Sequence, residues 1–261
     1  MENQKKGSNN LPMLIIGAVV LVGAIAAFWF YSNSKAAPNT NRAANVNTNA
    51  KPAGTPANAP SGATPPNMSG SPTALVTVEE FADFQCPTCA TTHPMVSEIK
   101  SVYGNRIKFI FRDFPLNIPA HDKSYEAAVA AEAAGMQGKF WDMQNLLFTN
   151  QQQWTANPGY KQIWTEYAQK LGLDVAKFQS DMAGLAAKSR VDEDIKRGKA
   201  LNVNSTPTIF VNGTSVDVKD FNVNGLKFIV DSELKKVAEQ PAKPPDQAPA
   251  ASANAAANTN K

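Results

Sequence analysis

The chain has two cysteines among its 261 residues, and they stand together at the end of an apolar run, Asp83-Phe84-Gln85-Cys86-Pro87-Thr88-Cys89. A C-x-x-C that leaves a strand and enters a helix makes one thiol a nucleophile and gives it a resolving partner. Cys86 belongs at the helix N-terminus, partly exposed, where unpaired N–H groups and the macrodipole favour its thiolate. A stable thiolate there favours the reduced pair and makes the Cys86–Cys89 disulfide a stronger oxidant. Cys89, one turn further in, is expected to be buried and to act as the resolving thiol. Two other readings stay open for the pair. One is an inert structural disulfide; the other is half of a zinc site, because His93 and His121 complete a nominal Cys₂His₂ set. Pro87 at the first helical position, where its missing N–H would be unpaired anyway, fits the redox geometry better than the metal.

The elements that must hold this motif are legible in order. Leu75 to Phe84 (L-V-T-V-E-E-F-A-D-F) is rich in β-branched and aromatic residues on both alternating faces, as a strand covered on both sides requires. Alternation also puts Glu79 and Glu80 on opposite faces of it. A helix runs from the motif to about Tyr103, with a kink expected at Pro94. Ile107 to Asp113 is a second strand, ended by Pro115 and Pro119. Residues 121–200 are then helical throughout. Asp122–Met136 is Ala-rich, Lys139–Asn150 carries Phe140, Met143 and Leu147, and the helix after Asn157-Pro158 aligns Tyr160, Ile163, Trp164, Tyr167 and Leu171. Asp174 caps a short helix with Val175, Phe178 and Met182, and a last one covers Leu185 to Ala200. These aromatics read as core. Strands return at Thr208–Val211 and Ser215–Val218 around Asn212-Gly213, a hairpin signal, and a final helix spans about Gly225 to Glu239. The order predicts an α/β core interrupted by an all-helical insertion at about 117–200.

Composition divides the rest. Residues 11–31 carry no charge and, as a helix, span roughly 31 Å, enough to cross hydrocarbon. Trp29 and Tyr31 stand at the end of this stretch, where amphipathic rings prefer the interface. The run is longer than a signal-peptide core, which favours an uncleaved anchor, although Ser34-Lys35-Ala36 offers a cleavage site. The short tail 1–10 is then cytoplasmic and the large domain extracytoplasmic, at the cell membrane. Residues 32–72 and 240–261, rich in Ala, Asn, Pro and Thr, read as a disordered linker and tail around a folded domain at 73–239. As a coil the linker would hold that domain on the order of 35 Å from the bilayer. A net charge of +3 with no concentrated Lys/Arg run gives no footprint for nucleic acid.

The strand ending in E-F-A-D-F-Q-C-P-T-C, the F-R-D-F-P-L after the second strand, A-H-D-K-S-Y-E-A-A, Q-G-K-F-W-D-M-Q-N-L-L-F and S-T-P-T-I-F-V-N-G occur in that sequence order. In this combination residues 73–239 resemble the DsbA-like thiol:disulfide oxidoreductases, a thioredoxin fold with a helical insertion, and membrane-anchored members most of all. The resemblance implies that Thr206-Pro207 is a cis-proline loop facing the cysteines, with the Thr206 backbone pairing to an extended substrate. It implies that Glu80 is a buried acid under the site, able to relay the proton of Cys89; a solvated or ion-paired strand Glu is the competing reading. Thr88 replaces the histidine of the archetype and removes one cationic stabiliser of the Cys86 thiolate. The activity implied is dithiol oxidation of reduced or unfolded extracytoplasmic proteins, with no cofactor beyond the redox-active disulfide. Reoxidation would come in trans from a membrane redox partner, quinone-linked in the family. A reductase or isomerase running the same exchange backwards, or a tethered binding domain with an inert disulfide, are the alternatives.

Overall fold

The computed structural model describes residues 56 and 58–239. The anchor at 11–31, the tail before it, most of the linker and the segment 240–261 lie outside the described residues. Among the described residues no helix is long and apolar enough to cross a membrane.

Thirteen elements are introduced here in chain order: β1 (Asn67–Gly70), β2 (Val76–Ala82), α1 (Pro87–Tyr103), β3 (Ile107–Asp113), α2 (Ser124–Gly135), α3 (Phe140–Thr149), α4 (Gln151–Thr155), α5 (Tyr160–Lys170), α6 (Val175–Ala183), α7 (Leu185–Ala200), β4 (Thr208–Val211), β5 (Thr214–Ser215) and α8 (Val223–Ala238). The strands form one sheet in the order β1-β3-β2-β4-β5. β2 and β3 run parallel and the other pairs antiparallel. A parallel pair needs a crossover, and α1 provides it, which is why the motif lies at the C-terminal end of β2. β2 is central and buried except at Thr77, so its side chains V-T-V-E-E-F-A face two covered sides. Phe81 faces α7, where Gly198 lets the helix come close: a Cβ there would meet the Phe114 ring at 2.5 Å and Phe81 at 3.1 Å. α1 and α8 cover the other side.

The core aromatics sit as the helical spacing required. Phe84 stacks on Phe148 at 4.7 Å and on Phe111 at 5.6 Å between ring centroids, and Trp154 meets Trp164 edge-on at 5.4 Å. Each large apolar side chain taken fully from water contributes about 1.5–3 kcal/mol. The insertion therefore has a core of its own, continuous with that of the sheet.

Two local differences from the sequence reading have physical reasons. The folded region begins before residue 73: β1 is the antiparallel edge strand against β3, and Ala63 is buried. This stretch is held through backbone carbonyls, so its lack of apolar residues hides it. Arg112 donates to Ser61 O (2.8 Å) and Ala63 O (3.2 Å), Arg197 to Pro60 O (2.7 Å) and Arg190 to Pro65 O (2.9 Å). The helix α1 reaches Tyr103 as expected, with Pro94 inside it. The last strand stops at Ser215, because Asp217 turns its carboxylate back to the Lys219 N–H and starts a 3₁₀ turn at Val218. The hairpin turn itself is as expected, with Asn212 and Gly213 both at positive φ.

Candidate active site

β2 ends at Ala82, and the turn Asp83–Cys86 delivers the first cysteine to the start of α1. Cys86 is the N-cap, in extended backbone geometry, and Pro87 opens the helix. Its carbonyl accepts from Ala90 N at 3.2 Å, the first helical bond. Its own Sγ lies 3.4 Å from the Thr206 carbonyl oxygen, across the gap to the loop before β4. The Thr206-Pro207 peptide is cis. Both cysteines are free thiols in this structure, and Cys89 is 1% exposed. Cys86 is 6% exposed, which corrects the expectation of partial exposure: the Thr206 loop covers the sulfur that the helix end alone would leave open. Pro87 and Thr88, between them, are exposed.

The two sulfurs are electrostatically unlike. The Cys89 thiol hydrogen-bonds the Cys86 sulfur and brings its pKa down to about 5; burial opposes this, while Thr206 and the N–H groups of Cys89 and Thr88 assist it. Burial pushes Cys89 far above the usual thiol range, and the neighbouring Cys86 pushes it further. One thiol is thus poised as a thiolate and the other as its proton-bearing partner.

The two glutamates of β2 separate as alternation requires. Glu80 faces the α1 side, is 3% exposed, and burial raises its carboxyl to about 7, with Lys100 of α1 opposing the shift. Lys100 is itself brought down to about 8 by burial, against the pull of Glu80, and its ammonium lies 3.7 Å from the centre of the Trp141 ring. Glu79 faces α7 and is clasped by Arg112 Nε (2.7 Å) and Arg197 Nε and Nη2 (2.7 Å each). Burial works against its charge, but the two guanidinium groups hold it below the usual carboxylate range.

The nominal zinc set does not assemble. His93 bonds Asn145 Oδ1 through Nε2 at 3.0 Å and stacks on Phe148, while His121 Nδ1 lies 2.6 Å from Asp83 Oδ2. Among the described residues the one acid cluster tight enough for a cation is Asp113, Glu132 and Asp194. It is already answered by charge: Arg112 pairs with Asp194 at 2.8 Å and Arg190 with Glu132 at 2.5 Å. Burial, then the neighbouring Glu132 and Asp194, raise Asp113 well above the usual carboxylate value.

Sequence reasoning missed the polar frame that grips the turn. Asp83 Oδ1 accepts from Gln85 N (2.7 Å) and Ser124 Oγ (2.6 Å), and Oδ2 accepts from Leu116 N (2.9 Å). Gln85 reaches Asp122 (3.0 Å) and the Lys123 N–H (2.8 Å). Gln151 donates to the carbonyls of Phe84 and Cys86. The stretches D-F-Q and A-H-D-K-S signalled that two polar segments exist; nothing in them said that they meet. An open cleft of about 520 Å³, lined by Thr88, Thr91, Met95 and Phe221 among others, flanks the exposed side of the motif between α1 and the start of α8.

Known proteins agree with this architecture. A thioredoxin-like oxidoreductase from Silicibacter pomeroyi superposes with a TM-score of 0.55 at 25% identity, over 65% of this chain and 92% of its own. Oxidised BdbD from Bacillus subtilis does so at 0.52 and 25%, over 68% and 98%. The thiol-disulfide exchange protein alpha-DsbA2 of Wolbachia pipientis, at 0.54 and 19%, shares the fold. Curated relatives carry a different name: the Na(+)/H(+) antiporter NhaA 1 of Mycolicibacterium gilvum is 36% identical over 149 residues, and that of Salinispora arenicola 39% over 140. The match takes in 56% and 54% of this chain but only 23% and 20% of those proteins, so the chain spans less than a quarter of their length. A family model described as thioredoxin matches residues 63–231, a span that opens within the strap ahead of β1 and closes in α8. The chain belongs to the thioredoxin family, with DsbA-like oxidoreductases among its structural neighbours.

Proposed function

We propose that the chain is a thiol–disulfide oxidoreductase working as a dithiol oxidase on reduced polypeptides. The observation that carries this reading is the asymmetry of the pair, a Cys86 thiol brought down to about 5 beside a Cys89 thiol pushed far up. Stabilising the Cys86 thiolate stabilises the reduced enzyme, and so makes its disulfide the more eager to oxidise others. In the reaction a substrate thiolate attacks Cys86 Sγ, the Cys86–Cys89 bond breaks, and Cys89 leaves with the electron pair. The Cys89 thiolate takes up a proton, and Glu80, buried with a carboxyl near 7, is the group we assign to supply it. A second substrate thiolate then attacks the substrate sulfur of the mixed disulfide and expels Cys86 as its stable thiolate. Two electrons pass from the substrate dithiol to the enzyme.

Substrate would lie along the Thr206 backbone as an added strand, which reads main chain and is therefore broad in selectivity. The cleft lined by Thr88, Thr91, Met95 and Phe221 would take one of its side chains. With no third cysteine in the chain, reoxidation falls to a partner in trans, and we assign it to a membrane redox protein. The uncharged stretch 11–31 supports an anchor that holds the domain on the extracytoplasmic side.

The test mixes the oxidised protein with an unfolded polypeptide bearing two thiols. The substrate disulfide is expected to form one-for-one with enzyme reduction. Cys89→Ala, with Cys86 first converted to its glutathione mixed disulfide, should release glutathione to a one-thiol substrate and hold that substrate as a mixed disulfide at Cys86, and Cys86→Ala should be inert. A substrate left reduced by the unmodified protein would end this reading.

A further inference from the structure

Three amides follow one another at the start of α4, Gln151, Gln152 and Gln153, and only the first is buried. Its Nε2 has two hydrogens and spends both on the redox turn: one bond goes to Phe84 O at 2.7 Å and the other to Cys86 O at 2.9 Å. The amide thus ties the residue that ends the strand side of the turn to the residue that caps the helix. Gln151 is the partner that Phe84 O has among the described residues. It is mounted rigidly, since Trp154, one turn on in the same short helix, is fully buried, donates to Leu147 O at 2.9 Å and meets Trp164 edge-on.

We infer that Gln151 is a positioning residue for thiol–disulfide exchange, through which the helical insertion fixes the Cys86 N-cap and thereby aims the first N–H groups of α1 at its sulfur. This rests on the exchange reading of Cys86 and Cys89 given above. The physical chain is short. No side chain caps this helix, so Cys86 holds its place through backbone bonds on either side. Those of Cys86 are its own N–H to Asp83 O (3.1 Å), the Ala90 N–H to its carbonyl, and the Gln151 amide. Without the amide, a buried Phe84 carbonyl is orphaned and the turn shifts to satisfy it. The N–H groups of Thr88 and Cys89, which help to hold the Cys86 sulfur as a thiolate, shift with it. The positive end of the Gln151 N–H that meets the Cys86 carbonyl also lies against that residue's backbone, where it favours negative charge on it. The insertion therefore does more than roof the sheet: one of its side chains sets the reactivity of the nucleophile.

The test uses Gln151→Met in the full chain, which keeps length and loses both donors, with Gln152→Met as the exposed control. The Cys86 pKa is read from thiolate absorbance and the redox equilibrium is read against glutathione. The inference predicts that Gln151→Met lowers the Cys86 acid constant, raising its pKa, and shifts the equilibrium toward the disulfide by about tenfold each, while Gln152→Met changes neither. A merely structural residue would instead lower Tm equally in both redox forms, leaving pKa and equilibrium within twofold of the parent, and that result overturns the inference. Should Gln151→Met fail to fold, the unmodified reduced protein decides. The Gln151 side-chain amide signals must then move in the NMR spectrum as Cys86 titrates; signals that stay fixed through that titration also overturn it. The two readings fail separately: an ordinary thiol pKa at Cys86 in the unmodified protein sinks the exchange reading. A depressed one that Gln151→Met leaves untouched sinks only the positioning role.

Discussion

Glu79 and Glu80 are adjacent on β2, both shielded from solvent, and point to opposite sides of the sheet. On the α7 side Glu79 meets Arg112 and Arg197, its oxygens are filled, and it stays a carboxylate. On the α1 side Glu80 has a half-buried lysine as its charged neighbour and a carboxyl near 7, free to take and give a proton at neutral pH. Burial is common to both. What separates a structural acid from a chemical one here is whether fixed donors fill its lone pairs, because filled oxygens hold the charge and empty ones let the low dielectric decide.

The largest expected effect breaks the structural side. Glu79→Ala leaves Arg112 and Arg197 facing a buried void and should destabilise the domain by about 3–5 kcal/mol in chemical denaturation, while the fraction that remains folded still exchanges disulfides. The next effect is the pH dependence of stability. Glu80 has a folded value raised above its unfolded 4.5 to about 7, so its neutral form stabilises the fold fully below pH 4.5. That contribution is lost as pH rises through 7, up to about 3 kcal/mol. Glu79, with its folded value lowered, behaves oppositely: its contribution is present above the unfolded value and lost as pH falls through the folded one. Denaturation of Glu80→Gln from pH 8 down to about 3 should show the first slope gone and the second, below pH 4.5, intact.

The same substitution should slow the exchange step by about 10²-fold near neutral pH if Glu80 serves the proton of Cys89, with little loss of stability; stopped-flow fluorescence would read the rate. An unchanged rate would return Glu80 to the role of a buried strand residue. The smallest effect belongs to Lys100→Met. Removing the cation that opposes the shift should carry the Glu80 titration up by about one unit, seen as the same step in stability displaced to higher pH.

How much of this could be read from the chain follows from what kind of force fixes each part. The separation of Glu79 and Glu80 was legible, because a strand has period two; which of them is the chemical one was not, since Arg112 and Arg197 come from distant segments. The helices of the insertion stood out through Phe140, Leu147, Trp164 and Phe178, whose spacing reports burial directly. β1 did not, because N-M-S-G has neither alternation nor β-branched residues and joins the sheet as an edge strand by backbone bonds. Ser61 and Ala63 were hidden in the same way, held by their carbonyls to Arg112. The cysteine pair and Thr206-Pro207 were visible as motifs and meet in space as expected. Gln151 was indistinguishable from Gln152 and Gln153, because one residue in three turned inward leaves no pattern.

The most direct measurement is the reduction potential of the Cys86–Cys89 pair in the full chain, equilibrated with glutathione, together with the thiolate titration of Cys86. A dithiol oxidase requires a potential well above that of thioredoxin (about −270 mV), toward the DsbA value of about −120 mV, with Cys86 titrating near 5. A potential at or below that of thioredoxin, with Cys86 titrating as an ordinary thiol near about 8.5, would contradict it.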